Sequence, residues 1–151
     1  MISRYRRAGL ALVAVAAAAC SRQPSPSPAA SPEAEVPVRV TDIDVGRGVA
    51  NPNGLTEATH IFTPGENFVV AVKTEGSAPA AKVAAVWTYE DQRVTESEQT
   101  IQPQGPAVVT FELPKPEGPN AAWPSGDYKV KILLNGVLAG SESFEVRPPS
   151  K

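Results

Sequence analysis

One cysteine, one histidine and a few grouped carboxylates are the residues through which this chain could do chemistry. His60, in the stretch EATHIFTP, could serve as a base or a metal ligand. It has no second histidine to work with, and no carboxylate stands at ligand spacing to it along the sequence. It therefore reads as an exposed or edge-strand histidine. A single cysteine excludes a disulfide framework and a cysteine-built zinc site. Asp42 with Asp44, Glu90 with Asp91, and Glu96 with Glu98 form the acidic groups. Calcium takes about six to eight oxygens. Asp42 and Asp44 would share one strand face with no third carboxylate nearby, which fits solvated strand edges better. No Gly-x-Ser-x-Gly turn is present to expose a nucleophilic serine, and no glycine loop is built to cradle phosphate. The expectation is a protein with no catalytic residues, no metal and no cofactor.

Two apolar loop segments remain as contact candidates. Trp123 precedes Pro124 in EGPNAAWPSGDY, within the long loop of residues 114–126. A loop tryptophan can anchor a ligand or partner, or it can plug the end of a domain beside Tyr128. Trp123 is the candidate ligand-binding residue. The apolar tip at residues 78–81, APAA, is the second patch.

The elements that must position these residues begin with an address. Arg4, Arg6 and Arg7 precede ten uncharged, mostly apolar residues at 10–19. Ten helical residues rise about 15 Å, half of a ~30 Å hydrocarbon core, so the segment is too short to span it. A basic start, a short apolar stretch and small residues make a secretory signal peptide over residues 1–19. Its end, Ala17-Ala18-Ala19-Cys20, resembles the lipobox of bacterial lipoproteins. That resemblance implies a diacylglyceryl thioether on Cys20, cleavage before it, and acylation of the new amine. The family usually carries Leu where this chain has Ala17. Ala17 and Ala19 also form an ordinary Ala-x-Ala cleavage site. In the lipoprotein family Ser21 after the cysteine implies an outer-membrane destination, facing the periplasm. Arg6-Arg7 resembles a twin-arginine signal, but Ala8-Gly9-Leu10 fits that signal poorly.

Residues 20–37 read as a tether. Five of the fifteen residues at 23–37 are proline, and no apolar period exists to repay the entropy of packing. Such a stretch favours polyproline II, so Cys20 to Val36 reaches roughly 50 Å at most. Removing the three arginines before Cys20 leaves 11 basic against 16 acidic residues, a formal −5. No basic patch for nucleic acid exists.

From residue 38 to 147 the chain alternates with period two. Val36, Val38 and Val40, then Ile43 and Val45, lead into Phe68-Val70-Val72 and Val83-Ala85-Trp87-Tyr89. Val109-Phe111-Leu113, Tyr128-Val130-Ile132-Leu134 and Phe144-Val146 follow. This is the half-buried strand signal, and no window after Pro24 shows a helical period. Asn135-Gly136 predicts a two-residue type I′ hairpin. Asp91 is a candidate turn. Asn53-Gly54 predicts a second hairpin, pairing residues 45–50 with 60–63. About seven strands in about 110 residues predict an all-β, antiparallel two-sheet sandwich. The last residues, 148–151, are a tail.

The region 38–147 resembles an immunoglobulin-like β-sandwich of the disulfide-free, bacterial secreted type. Trp87 stands mid-strand where such domains often carry a core tryptophan. Gly126-Asp127-Tyr128 opens the penultimate strand and resembles the tyrosine-corner position. WPSGDYKVKILLNG followed by FEV also resembles a stretch in uncharacterised bacterial lipoproteins. The expectation is an exported protein, held on the cell envelope by lipid on Cys20. Its sandwich would act as a non-catalytic binding or adaptor module for an envelope protein or polymer, with no nucleic acid involved. A purely structural envelope role, or service as an accessory domain of an envelope enzyme system, is the alternative.

Overall fold

The alternating valines and aromatics form strands whose inner faces meet. In a computed structural model the described residues are 36–49 and 54–149. The segment read above as a signal peptide, Cys20, most of the stretch read as a tether, and Asn53 lie outside them. Nine strands occur among the described residues: β1 (Arg39–Val49), β2 (Leu55–Ala58), β3 (Ile61–Phe62), β4 (Phe68–Glu75), β5 (Ala81–Tyr89), β6 (Gln92–Ile101), β7 (Ala107–Leu113), β8 (Gly126–Leu134) and β9 (Val137–Val146). One sheet has the order β2-β1-β4-β7, the other β3-β9-β8-β5-β6. Taking β1, β4, β5, β6, β7, β8 and β9 as strands A, B, C, C′, E, F and G places A-B-E against C′-C-F-G. That is the strand arrangement of an immunoglobulin-like sandwich.

Three details differ from the sequence reading. The strand count is nine rather than about seven. Residues 55–58, not 60–63, return against β1, with Val49 opposite Leu55. The chain then crosses between sheets, and β3 pairs with β9 in parallel, Ile61 opposite Glu145. The sandwich is thus antiparallel except for this two-residue pair. The crossing has a physical cause: Phe62 is fully buried, and moving to the second sheet places its ring 4.9 Å from Phe68 and 5.2 Å from Phe144.

The core is built from both inner faces. Val45, Val70 and Val72 of one sheet meet Val83, Trp87, Val130 and Ile132 of the other. Phe68 lies against Phe144 at 4.9 Å, and Tyr128 stacks on Phe144 at 5.4 Å. Burial at roughly 25 cal/mol per Å² of apolar surface makes this cluster the main favourable contribution to the fold. Trp87 is fully buried, and its indole N–H has no acceptor.

The turns follow the local chemistry. Asn135 and Gly136 sit at φ 50° and 82°, the positive values of a type I′ turn. Asn135 also ties the hairpin to β5: its Oδ1 accepts from the Lys82 amide at 2.9 Å, and its own amide donates to the Lys82 carbonyl at 2.8 Å. Glu90 and Asp91 turn the chain at φ 44° and 65° between Tyr89 and Gln92.

Candidate functional site

The strand directions sort the loops into two ends. At one end the chain enters at Val36, and residues 76–80, residues 102–106 and the Asn135-Gly136 turn surround it. At the other end lie residues 63–67, the Glu90-Asp91 turn and residues 114–125. The candidate residues divide between these ends and the sheet surfaces.

Trp123 closes the second end. Its ring stacks on Phe68 at 5.0 Å and stands edge-on to Tyr128 at 6.2 Å. Its indole N–H donates to the Glu66 carbonyl at 3.0 Å, and its backbone N–H to the Pro64 carbonyl at 2.9 Å. The residue is half-buried. One face and the polar edge of the indole are thus engaged within the protein. The loop carrying it presents exposed Glu117, Gly118, Pro119 and Asn120.

Tyr128 completes the same end. Its hydroxyl donates to the Pro124 carbonyl at 3.0 Å. A tyrosine near the start of strand F bonding a few residues upstream is the tyrosine corner of immunoglobulin-like domains. Burial, with smaller contributions from neighbouring Tyr89 and Glu90, pushes its phenol up to about 12.

Behind Trp123 lies a polar cluster that periodicity could not reveal. Arg47 donates to Glu66 from Nε at 2.6 Å and Nη2 at 3.2 Å, to Glu57 from Nη1 at 3.0 Å, and to the Ile61 carbonyl at 2.9 Å. The Thr63 amide donates to Glu66 at 2.6 Å. Burial alone would raise the Glu66 carboxyl, but the hydrogen bonds from Arg47 and Thr63 outweigh it and hold it below the usual range. The guanidinium also lies 5.4 Å over the Phe62 ring. Arg47 and Glu66 are 19 residues apart with no spacing signal between them. This arrangement braces a loop.

The other sequence candidates fall on the sheets. Asp42 and Asp44 point to one cation: Lys73 Nζ lies 2.6 Å and 3.0 Å from them. The hydrogen bond from Lys73 lowers the Asp42 carboxyl, and the two carboxylates push Lys73 up to about 12. Glu96 is bonded by Arg93, and Glu98 lies 3.0 Å from Lys82. His60, exposed between β2 and β3, faces Glu142 of β9 at 3.4 Å. This carboxylate is 82 positions away in the chain, out of reach of spacing rules. No serine hydroxyl bonds His60 among the described residues. No three His, Cys, Asp or Glu side chains gather there into a metal-holding group.

The end where the chain enters holds a shallow depression of about 770 Å³, bordered by Val36, Pro37, Ala78, Pro79, Gly105 and Pro106. It includes half of the apolar tip at residues 78–81. Gly76 makes its floor possible. A Cβ there would stand 2.6 Å from the Pro37 carbonyl and 2.7 Å from the Val38 Cα, so only glycine lets the entering chain cross.

No protein-family model matches the sequence. No curated protein matches it. Solved structures do overlap it. An immunoglobulin-like protein from Pseudomonas aeruginosa aligns with TM-score 0.48 and 16% identity, covering 76% of this chain and 99% of its own. A CARDB domain from Pyrococcus furiosus, in complex with di-metal ions, aligns with TM-score 0.43 and 11% identity, covering 77% and 90%. The alkylpurine DNA glycosylase AlkC of Pseudomonas fluorescens, bound to DNA containing an abasic site analog, aligns with TM-score 0.49 and 18% identity over 73% of this chain. The chain spans only 30% of that enzyme's length. Likeness at this level transfers no ligand and no activity. The chain's own strand order, its buried Trp87 and its Tyr128 corner make it an immunoglobulin-like β-sandwich.

Proposed function

We propose that the protein is an envelope lipoprotein whose sandwich is a non-catalytic binding module. One observation carries the reading: the two ends of the sandwich are built differently. The chain emerges from one end, toward Cys20. The opposite end carries a long loop pinned from behind by Trp123, Glu66 and Arg47. A braced loop loses little entropy on binding, so it can spend its contacts on a partner. Trp123 holds this surface in place and offers a ligand only the part of the indole that Phe68 leaves free. Cys20 supplies the anchor. Each buried CH₂ contributes about 0.8 kcal/mol, and more than one acyl chain makes the attachment stable. The tether of roughly 50 Å sets how far the module reaches, whether to an envelope protein or a polymer. The location that follows is the envelope, at the periplasmic side of an outer membrane.

Crosslinking of the full-length protein in its own envelope tests the binding role, with Cys20→Ser as the unanchored control. One specific partner, weakened in the control, is the expected result. Equal recovery of nothing in both forms overturns the adaptor reading. Mass spectrometry of the mature N-terminus tests the anchor separately. An acylated Cys20 is expected, and a free thiol removes the anchor.

A further inference from the structure

The end of the sandwich at which the chain enters, at Val36, is almost without charge. Its four crossings are residues 36–38, 76–81, 99–109 and 132–140, and none contains Asp, Glu, Lys or Arg. Of the charges adjoining these segments, Lys131 makes no ion pair among the described residues and four are paired across strands. Arg39 lies 2.7 Å from Glu75, and Lys82 lies 3.0 Å from Glu98. The opposite end carries exposed Glu90, Asp91 and Glu117 on its turns and exposed Glu112 and Asp127 at adjoining strand ends, against exposed Arg93, Lys115 and Arg147, and so is net acidic.

The uncharged end also carries the most exposed aliphatic side chains. Val137 is 70% exposed, Leu138 61% and Val36 55%. Val137 and Leu138 directly follow the Asn135-Gly136 turn, which Asn135 bonds to Lys82. They are therefore presented on a rigid hairpin beside the point where the chain enters.

We infer that this end seats on the lipid surface, with Val137, Leu138 and Val36 in the interfacial region and the acidic end turned outward. The inference rests on the lipid-anchor reading. Two reasons select lipid as the occupant. The tether begins at this end and cannot carry it beyond roughly 50 Å from the bilayer. An uncharged apolar end is tolerated at an anionic surface, whereas the acidic end is repelled from it. Three aliphatic side chains are too little to hold a free protein on a membrane, since such binding scales with buried apolar area. The anchor changes this. It makes docking an intramolecular step, at an effective concentration on the order of millimolar for a short linker.

The test uses the full-length acylated protein in phosphatidylethanolamine–phosphatidylglycerol vesicles that carry a nitroxide-labelled lipid. An environment-sensitive fluorophore is placed at Ala139→Cys or, in a second sample, at Glu117→Cys. Cys20 is blocked by its thioether and takes no label. Strong quenching at position 139 with little at 117 is the expected result. Val137→Ser with Leu138→Ser is expected to abolish the difference while leaving the melting temperature unchanged, because both side chains are already in water. Equal weak quenching at both positions, with the protein still floating with the vesicles, overturns the seating and leaves the anchor intact. Failure to float overturns the anchor and the seating together. Label self-quenching that grows with protein density, without quenching by lipid, assigns the surface to a second copy and overturns the seating.

Discussion

Arg47 on β1 holds both carboxylate oxygens of Glu66, at 2.6 and 3.2 Å, and the backbone carbonyl of the same Glu66 accepts from the indole of Trp123 at 3.0 Å. A strand, a turn and the long loop are thereby joined through one residue. Both charged side chains are less than one-third exposed, at 31% and 28%. Screening by water is therefore weaker than for a surface pair, and loss of one partner leaves Arg47 only Glu57 and the Ile61 carbonyl, or Glu66 only the Thr63 amide.

Glu66→Gln and Arg47→Ala should each destabilise the fold by about 1–3 kcal/mol. The double variant should show coupling of about 0.5–3 kcal/mol in a denaturant cycle. Strict additivity would mean that the pair is decorative. The pH dependence has a defined sign. The native Glu66 carboxyl lies below its ordinary value, so the unfolded chain takes up a proton first on acidification. The contribution of Glu66 is complete above its ordinary value near 4.5 and fades as pH falls through the native value. Glu66→Gln should flatten that part of the acid limb.

Trp87→Ala should cost ~3–5 kcal/mol by thermal or urea unfolding. The residue is fully buried, and its absence leaves a cavity between the sheets. Trp87→Phe should cost much less than Trp87→Ala. It keeps an aromatic ring near Phe144 and removes an indole N–H that has no acceptor, a group whose burial costs about 1–3 kcal/mol. Equal losses for the two variants would contradict this placement.

Tyr128→Phe removes the hydroxyl bonded to the Pro124 carbonyl and should cost about 0.5–1.5 kcal/mol. It also tests the alkaline limb. The native phenol is raised to about 12 from 10.0, so the native state keeps a proton that the unfolded chain has lost. Stability is fully present below pH 10 and declines as pH rises toward 12. Lys73, raised to about 12 from 10.5, acts in the same direction. Melting temperatures across this window should fall less steeply for Tyr128→Phe than for the parent, and an unchanged slope would refute the role.

Gly136→Ala and Gly76→Ala separate two reasons for glycine. Nothing lies within 4 Å of a Cβ at position 136, so that variant meets only the cost of φ +82°, roughly 1–2 kcal/mol. At position 76 the Cβ also collides with the Pro37 and Val38 backbone. Gly76→Ala should therefore be the more damaging of the two, read by denaturant midpoint.

Much of this was legible in the residues themselves. Period-two alternation marked the strands whose one face is buried, because such strands must separate apolar from polar positions. Asn135-Gly136 marked its hairpin because few residue pairs adopt two positive φ values. β6 escaped notice for the complementary reason. It is an edge strand, QRVTESEQTI, exposed along most of both faces, so no burial imposed a pattern on it. Its partner-facing Gln99 donates to the Thr110 carbonyl of β7 at 2.8 Å, a contact no periodicity encodes.

Local sequence determined what depends on neighbours along the chain: the strand faces and the tight turns. The tertiary structure alone decided what depends on distant residues meeting. It sent residues 61–62 across to β9 to bury Phe62, set Arg47 on Glu66 and Glu142 beside His60, engaged Trp123 with Phe68, and gathered four uncharged crossings at one end. Spacing reports the period of a single element. Contacts between elements are fixed by the free energy of burying their faces together, which no one segment contains.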